Sequence, residues 1–236
     1  MTTKNIFSAK ILLLSLIIIL LTASAVSNAG NPAVALITKS INDVTKVSTS
    51  GESNQATKGT ILFNNDRVIT GKKSLALIKF QDDNSMVRLR ELSELTISSD
   101  VENATTIKST TLTKGGLGFV VHKQQQNKQF RLTSPTSVAS IRGTKGTWCG
   151  GTGKDTLLVI EGLINLKNSK SNKDIDIPAG FIGFSNDDGS ILSRRATEGE
   201  LADADRTISG TLLNELKLEM KDPNGNKKVL KLKYNK

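Results

Sequence analysis

Ser74-Leu75-Ala76-Leu77-Ile78-Lys79-Phe80-Gln81-Asp82-Asp83-Asn84-Ser85-Met86-Val87-Arg88-Leu89-Arg90 decides the fold class of this chain. Two short apolar runs flank a polar stretch that reverses the backbone. Asp and Asn tolerate the left-handed geometry a tight turn needs, so the stretch predicts a β-hairpin. The same pattern repeats outward in both directions. Upstream, Pro32 to Thr38, Val44 to Val47 and Thr60 to Phe63 read as strands, the last ending at the turn signal Asn64-Asn65-Asp66. Downstream come Leu95 to Ser98, Thr105 to Leu112, Gly118 to His122, Phe130 to Thr133, Leu163 to Lys167, Ile175 to Ile177 and Phe181 to Phe184. Leu157-Leu158-Val159-Ile160 is apolar without a break, as expected of a strand buried on both faces. Short strands at even spacing predict an all-β architecture: a roll or sandwich, or an irregular β-solenoid.

The pattern changes after Ser193. Thr197 stands three residues before Glu200, the spacing of a capping box, so a short helical linker of one or two turns is expected, weakened by Gly199. Leu216 to Lys221 and Leu230 to Tyr234 then alternate strictly around Asp222-Pro223-Asn224-Gly225-Asn226, which predicts a C-terminal β-hairpin. Leu216, Leu218, Met220, Leu230, Leu232 and Tyr234 fall on one face of it, a candidate interaction surface. An isolated hairpin is marginal in water, so that face is expected to cover its own domain, pair with a sheet edge or meet a partner.

Ahead of all this lies a tripartite leader: Lys4 and Lys10, the apolar run Ile11 to Leu21, then the small-residue sites Ala23-Ser24-Ala25 and Ser27-Asn28-Ala29. The run is shorter than the ~20 residues a spanning helix needs, so cleavage after Ala29 is expected. The expected organisation is a signal peptide over 1–29, a β domain over 30–193, and linker, short helix and hairpin over 194–236. The expected address is the periplasm or exterior of a bacterium.

The formal charge is +10 and the isoelectric point about 9.7. Lys108, Lys114, Lys123, Lys128, Arg131, Arg142 and Lys145 occur with no acid between them, and a second lysine cluster occupies the C-terminus. In an exported chain the polyanions within reach are an anionic membrane surface or polysaccharide rather than nucleic acid, and peripheral contact with them is the expectation beyond simple solubility.

Chemistry-bearing residues are few. The single cysteine, Cys149, excludes an internal disulfide, and with one histidine, His122, an ordinary zinc site of nitrogen and sulfur ligands cannot be assembled. A Cys149–His122 nucleophilic pair would need a third, orienting group that nothing marks. Trp148 to Thr156 superficially resembles a phosphate loop, but its first glycine is missing and Asp155 stands where a magnesium-binding hydroxyl belongs. Asp82, Asp83, Asp187 and Asp188 read as turn residues. The expectation is no catalytic residue, no cofactor and no metal.

Five ordered motifs then resemble the FecR-domain family of bacterial envelope proteins. Val68-Ile69-Thr70-Gly71 opens the pattern, Gln81 to Leu89 follows with Asn84 where glycine is usual, and Leu112 to Val120 forms the third. Ser134-Pro135-Thr136-Ser137-Val138-Ala139-Ser140-Ile141-Arg142-Gly143-Thr144 is the fourth and Val159-Ile160-Glu161-Gly162-Leu163-Ile164-Asn165-Leu166 the fifth. The resemblance spans about residues 34–193. It implies a non-enzymatic module in which Arg142, Gly143, Thr144, Glu161 and Gly162 are structural: glycines for backbone geometry, Arg142 anchoring carbonyls or an acid such as Glu161. The family's transmembrane sigma-factor regulators carry a cytoplasmic segment before their membrane span. Ten residues precede the apolar run here, so the resemblance points to the stand-alone exported form. A sensory, binding or scaffolding role toward a protein or envelope polymer is expected. The alternatives are an envelope-glycan hydrolase and an assembly component that pairs through its C-terminal hairpin.

Overall fold

The structure, a computed structural model, describes residues 32–124, 126–151, 153–209, 214–221 and 227–234. The leader lies outside them. From the start of the described chain run β1 (Ala33–Ile41), β2 (Val44–Val47), β3 (Ser53–Gln55), β4 (Ile61–Phe63), β5 (Asp66–Thr70), β6 (Leu75–Phe80), β7 (Met86–Leu89), β8 (Glu94–Glu102) and β9 (Thr105–Val121). After them come β10 (Lys128–Thr133), β11 (Ser137–Ile141), β12 (Thr144–Gly150), β13 (Lys154–Glu161), β14 (Leu163–Asn168), β15 (Asp174–Pro178), β16 (Phe181–Asn186) and β17 (Ile191–Arg195). A single helix, α1 (Glu198–Ser209), and the hairpin strands β18 (Asn214–Lys221) and β19 (Lys227–Tyr234) complete the described chain.

The first seventeen strands form one continuous sheet folded into two facing layers. Layer A is ordered β4-β1-β6-β7-β9-β12-β13-β16-β17. Layer B is ordered β3-β2-β5-β8-β9-β10-β11-β14-β15. Strand β9 belongs to both: Thr105 to Lys114 pairs with β8 in layer B, and Gly115 to Val121 pairs with β12 in layer A. All pairs are antiparallel except β9–β10. The sequence left roll, sandwich and solenoid open; the structure is a two-layer sandwich in which the chain repeatedly changes layer.

Those changes need corners, and left-handed backbone supplies them. Asn42 turns β1 into β2, Lys73 lies between β5 and β6, Leu92 lies between β7 and β8, Gly143 turns β11 into β12 and Gly162 turns β13 into β14, all with positive φ. The β6–β7 turn uses Asn84 at φ +60°, the conformation expected where glycine is usual.

Alternation then fills the space between layers. Ile37, Ile78, Phe80, Leu89 and Phe119 point inward from layer A; Val68, Leu95, Leu112, Phe130, Leu132 and Leu166 meet them from layer B. With few aromatics, branched aliphatics do most of the filling. Phe80 and Phe130 touch edge-to-face across the layers, ring centroids 5.0 Å apart. Trp148 is buried as a core plug.

The helix is longer than the one or two turns expected. Its capping box forms: Thr197 N donates to Glu200 Oε2 at 2.9 Å, and Glu200 N donates to Thr197 Oγ1 at 3.2 Å. Gly199 falls in the first turn, and tertiary packing carries the rest. Ala204 and Leu201 join Leu158, Ile182 and Phe184 on the outer face of layer A. Of the run Leu157 to Ile160, the first three residues are therefore buried on both faces, as expected, and Ile160 is half-buried. Beyond α1, β18 and β19 pair as a hairpin in which Leu216 faces Leu232 and Leu218 faces Leu230. The side chains of its apolar face, and so the cover expected of them, fall outside the described residues.

Candidate functional site

The two glycines of the fourth and fifth motifs sit at neighbouring corners and do different jobs. Gly143 has φ +69°, and the nearest atom to an added Cβ would be Lys123 Cα at 3.7 Å, so only backbone geometry demands glycine. Gly162 has φ +89°, and an added Cβ would lie 2.5 Å from Thr144 Cγ2 and 2.8 Å from Gly143 O. The corners are thus stacked, with buried Thr144 between them. Arg142 is exposed, and no hydrogen bond or ion pair to it is found among the described residues. Neither a carbonyl nor Glu161, the partners expected for it, is bonded to Arg142 among the described residues. Glu161 is the β12–β13 register partner of Lys145, which puts the lysine ammonium, 3.9 Å away, beside the carboxylate instead.

Next to the fourth motif lies a buried polar node that sequence reasoning missed. Ser134 Oγ accepts the N–H groups of Thr136 and Ser137, both at 3.0 Å, closing the turn around Pro135. The Ser134 and Ser137 hydroxyls both donate to Asp155 Oδ2. Asp155 is fully buried, and burial raises its carboxyl above the ordinary value although both hydroxyls pull it down. Among the described residues, neither its Oδ1 nor the Trp148 Nε1 has a hydrogen-bond partner of good geometry. Both crowd Gly150, whose absent Cβ would fall 2.1 Å from that oxygen. The arrangement ties the fourth motif to β13 and gives Asp155 a structural task. One signal was available: Asp155 shares inward parity with Leu157 and Val159.

The second node is ionic. Lys108, 2% exposed, reaches between the layers to Asp82 Oδ1 at 3.0 Å and to Asp83 Oδ2. Its ammonium also lies 5.7 Å from the Phe80 ring and 5.6 Å from the Phe130 ring. Burial alone would raise the Asp83 carboxyl, but hydrogen bonds from Lys108, Gln124 and Ser85 outweigh it and hold it below its ordinary value. Asp82 and Asp83 are turn residues, as read, and also the counter-ions of a buried lysine.

These ion pairs revise the basic cluster. Lys108 is inside the protein, Lys128 pairs with Asp82 at 3.2 Å and Lys145 with Asp205 at 2.8 Å. Acids from distant sequence neutralise part of the run, so it is not one cationic surface. Register also separates the conceivable nucleophilic pair. Cys149 pairs with Gly116, whereas His122 follows Val121, which pairs with Thr144. Five residue steps along an extended strand are ~17 Å, too far for the two side chains to act on one proton.

Against known proteins, residues 66–165 match the model of a family described as FecR protein. That span starts at the first residue of β5 and ends within β14, so it covers the hairpin, the layer-changing β9 and both glycine corners. This part of the chain is thus similar to a FecR domain. No curated protein matches it. Among solved structures, a candidate anti-sigma factor from Parabacteroides distasonis superposes with a TM-score of 0.50 at 11% identity, covering 67% of this chain and 70% of the other. A further structure described in the same words gives 0.49 at 11% identity, with 72% and 84% covered. At that identity the first likeness speaks for the fold alone.

Proposed function

We propose that this protein is an exported, non-catalytic envelope component whose FecR domain serves as a sensory, binding or scaffolding module for a protein or envelope-polymer partner. The match over residues 66–165 carries this reading. Two features support it. The leader has the basic, apolar and small-residue parts of a secretion signal. The polar groups that could have served chemistry are engaged in holding layers together: Asp155 by two serines, Asp82 and Asp83 by Lys108. A glycan hydrolase would need carboxyl groups converging on substrate, and these are held by the serines and by Lys108 instead.

Two measurements test the proposal. N-terminal sequencing of native material should find a mature chain starting near Gly30. Crosslinking in the intact envelope, followed by mass spectrometry, should recover a reproducible partner at the β domain. Retention of Met1 on a cytoplasmic pool overturns the export reading. Turnover of envelope glycan by the purified chain overturns the non-catalytic one.

A further inference from the structure

Helix α1 crosses layer A in a definite direction. Leu201 and Ala204 pack over β13 and β16, Asp205 pairs with Lys145 on β12, and Thr207 and Ile208 lie on Gly118 of β9. At its end the Arg88 Nε of β7 donates to Ile208 O at 3.1 Å. The next strands of the layer are β6, β1 and β4. Beyond the end of α1, outward residues of β9, β7, β6, β1 and β4 carry an apolar strip. Ala35, Ile37, Leu62, Ala76, Ile78, Val87, Phe119 and Val121 face inward, so alternation turns Leu36, Ile61, Leu77, Met86 and Val120 outward. Register makes them neighbours: Ile61 pairs with Leu36, Lys79 pairs with both Leu36 and Met86, Met86 pairs with Val120, and Leu77 pairs with Arg88. Four of the five are half-buried, and Ile61 is 44% exposed.

We infer that the occupant of this strip is the chain's own C-terminal hairpin. Chain length and direction argue for it. Asn214 opens β18 five residue steps after Ser209, a reach of ~17 Å when extended. Strands β6, β1 and β4 lie within ~15 Å of β7 at ordinary strand spacing. The hairpin emerges where α1 points, and register puts Leu216, Leu218, Met220, Leu230, Leu232 and Tyr234 on a single face. Laid on layer A, that face continues the cover α1 begins. The opposite face, with Lys217, Lys221, Lys227, Lys231 and Lys233, then meets solvent.

Methionine supplies the probe, because a chain starting at Gly30 contains only Met86 in the strip and Met220 in the hairpin. In the full mature chain labelled with [13C-methyl]methionine, both methyl groups should be shielded from a soluble paramagnetic agent at every protein concentration. Replacing Leu216, Leu218, Leu230 and Leu232 with Ser leaves the sandwich untouched and should raise the Met86 relaxation enhancement several-fold. Equal Met86 exposure in both proteins overturns the inference. So does shielding that appears only at concentrations where the mass is that of a dimer, since the occupant is then a second copy. An envelope protein captured by the wild-type hairpin, with Met86 exposed throughout, assigns the face to a partner and also overturns it.

Discussion

Thr144 closes the space above Gly162. The Cγ2 of the threonine lies 2.5 Å from where a side chain at 162 would begin, and the glycine carries φ +89°. Gly143, one residue before that threonine, has left-handed backbone but open space. Gly143→Ala should therefore cost only the backbone term, ~1–2 kcal/mol, and Gly143→Asn less. Gly162→Ala adds a clash with backbone and side chain and should cost ~3 kcal/mol or more, with Asn giving no relief. Urea unfolding of the four variants checks the order. Equal losses at the two glycines would remove the distinction drawn between them.

Lys108 is buried against exposed Asp82 and half-buried Asp83, so replacing it leaves the Asp83 carboxylate without its ammonium. Lys108→Met should destabilise by ~1–3 kcal/mol at neutral pH. The pH dependence should change as well. In the wild type the Asp83 carboxyl is held low, so its contribution is present above the ordinary carboxylate value of ~3.9 and is lost as pH falls through the lower folded value. Without the ammonium, only the bonds from Gln124 and Ser85 oppose burial, so the carboxyl rises relative to the wild type. The deficit of the variant relative to the wild type should then be larger at about pH 7 than at about pH 4.5. Chemical denaturation at pH 4.5 and 7 reads this directly. A variant whose deficit is the same at both pH values would show that Asp83 does not depend on Lys108.

Asp155 offers the opposite case within the native protein. Its carboxyl is raised by burial, so the folded state holds the proton more tightly than the unfolded chain. Stability from this group is complete below about 3.9 and lost as pH rises through the higher folded value. Asp155→Asn keeps an oxygen for the Ser134 and Ser137 hydroxyls and removes the charge. It should flatten the decline between pH 4 and 7. Ser134→Ala, which removes a donor from the buried acid and the acceptor that closes the turn, should instead cost ~1–3 kcal/mol. Thermal melts across pH, with both variants side by side, check the pair of outcomes.

Local features of this fold are plain in the sequence because their causes are local. The β6–β7 hairpin and its left-handed Asn84, the Thr197–Glu200 box and the doubly buried Leu157 to Val159 each follow from residues within a few positions of one another. Period-two alternation says that a residue points inward but not which layer it belongs to. The passage of β9 between layers, where Thr105 to Lys114 serves one and Gly115 to Val121 the other, depends on pairing with β8, β10, β7 and β12. The buried nodes sit between these limits. Lys108 and Asp155 occupy inward parity positions, which flags them, but the partners Asp82, Asp83, Ser134 and Ser137 come from other strands and turns. The same non-local pairing dispersed the basic run that looked like one cationic face.

Helix α1 is fastened at both ends by bonds that can be removed separately. At its start, the Arg194 guanidinium and the Thr197 cap hold the Glu200 carboxyl down at about 2. The folded cap therefore keeps its charged form until pH falls to that region, below the ordinary glutamate value. Amide protection across the first turn, corrected for intrinsic exchange, should be unchanged from pH 7 to pH 4, and Thr197→Ala should weaken it by ~1 kcal/mol. At its end, Arg88 caps Ile208 from a strand that is distant in sequence, with the guanidinium half-buried under the helix terminus. Arg88→Met keeps the apolar stem but removes the donor, so the sandwich should unfold at nearly the wild-type midpoint. The last turn of α1 should nevertheless exchange several-fold faster, while the first turn holds. Hydrogen exchange with mass spectrometry resolves the two ends. Loss of protection along the whole helix in Arg88→Met would mean that the packing of Leu201 and Ala204 on β13 and β16 cannot hold α1 by itself.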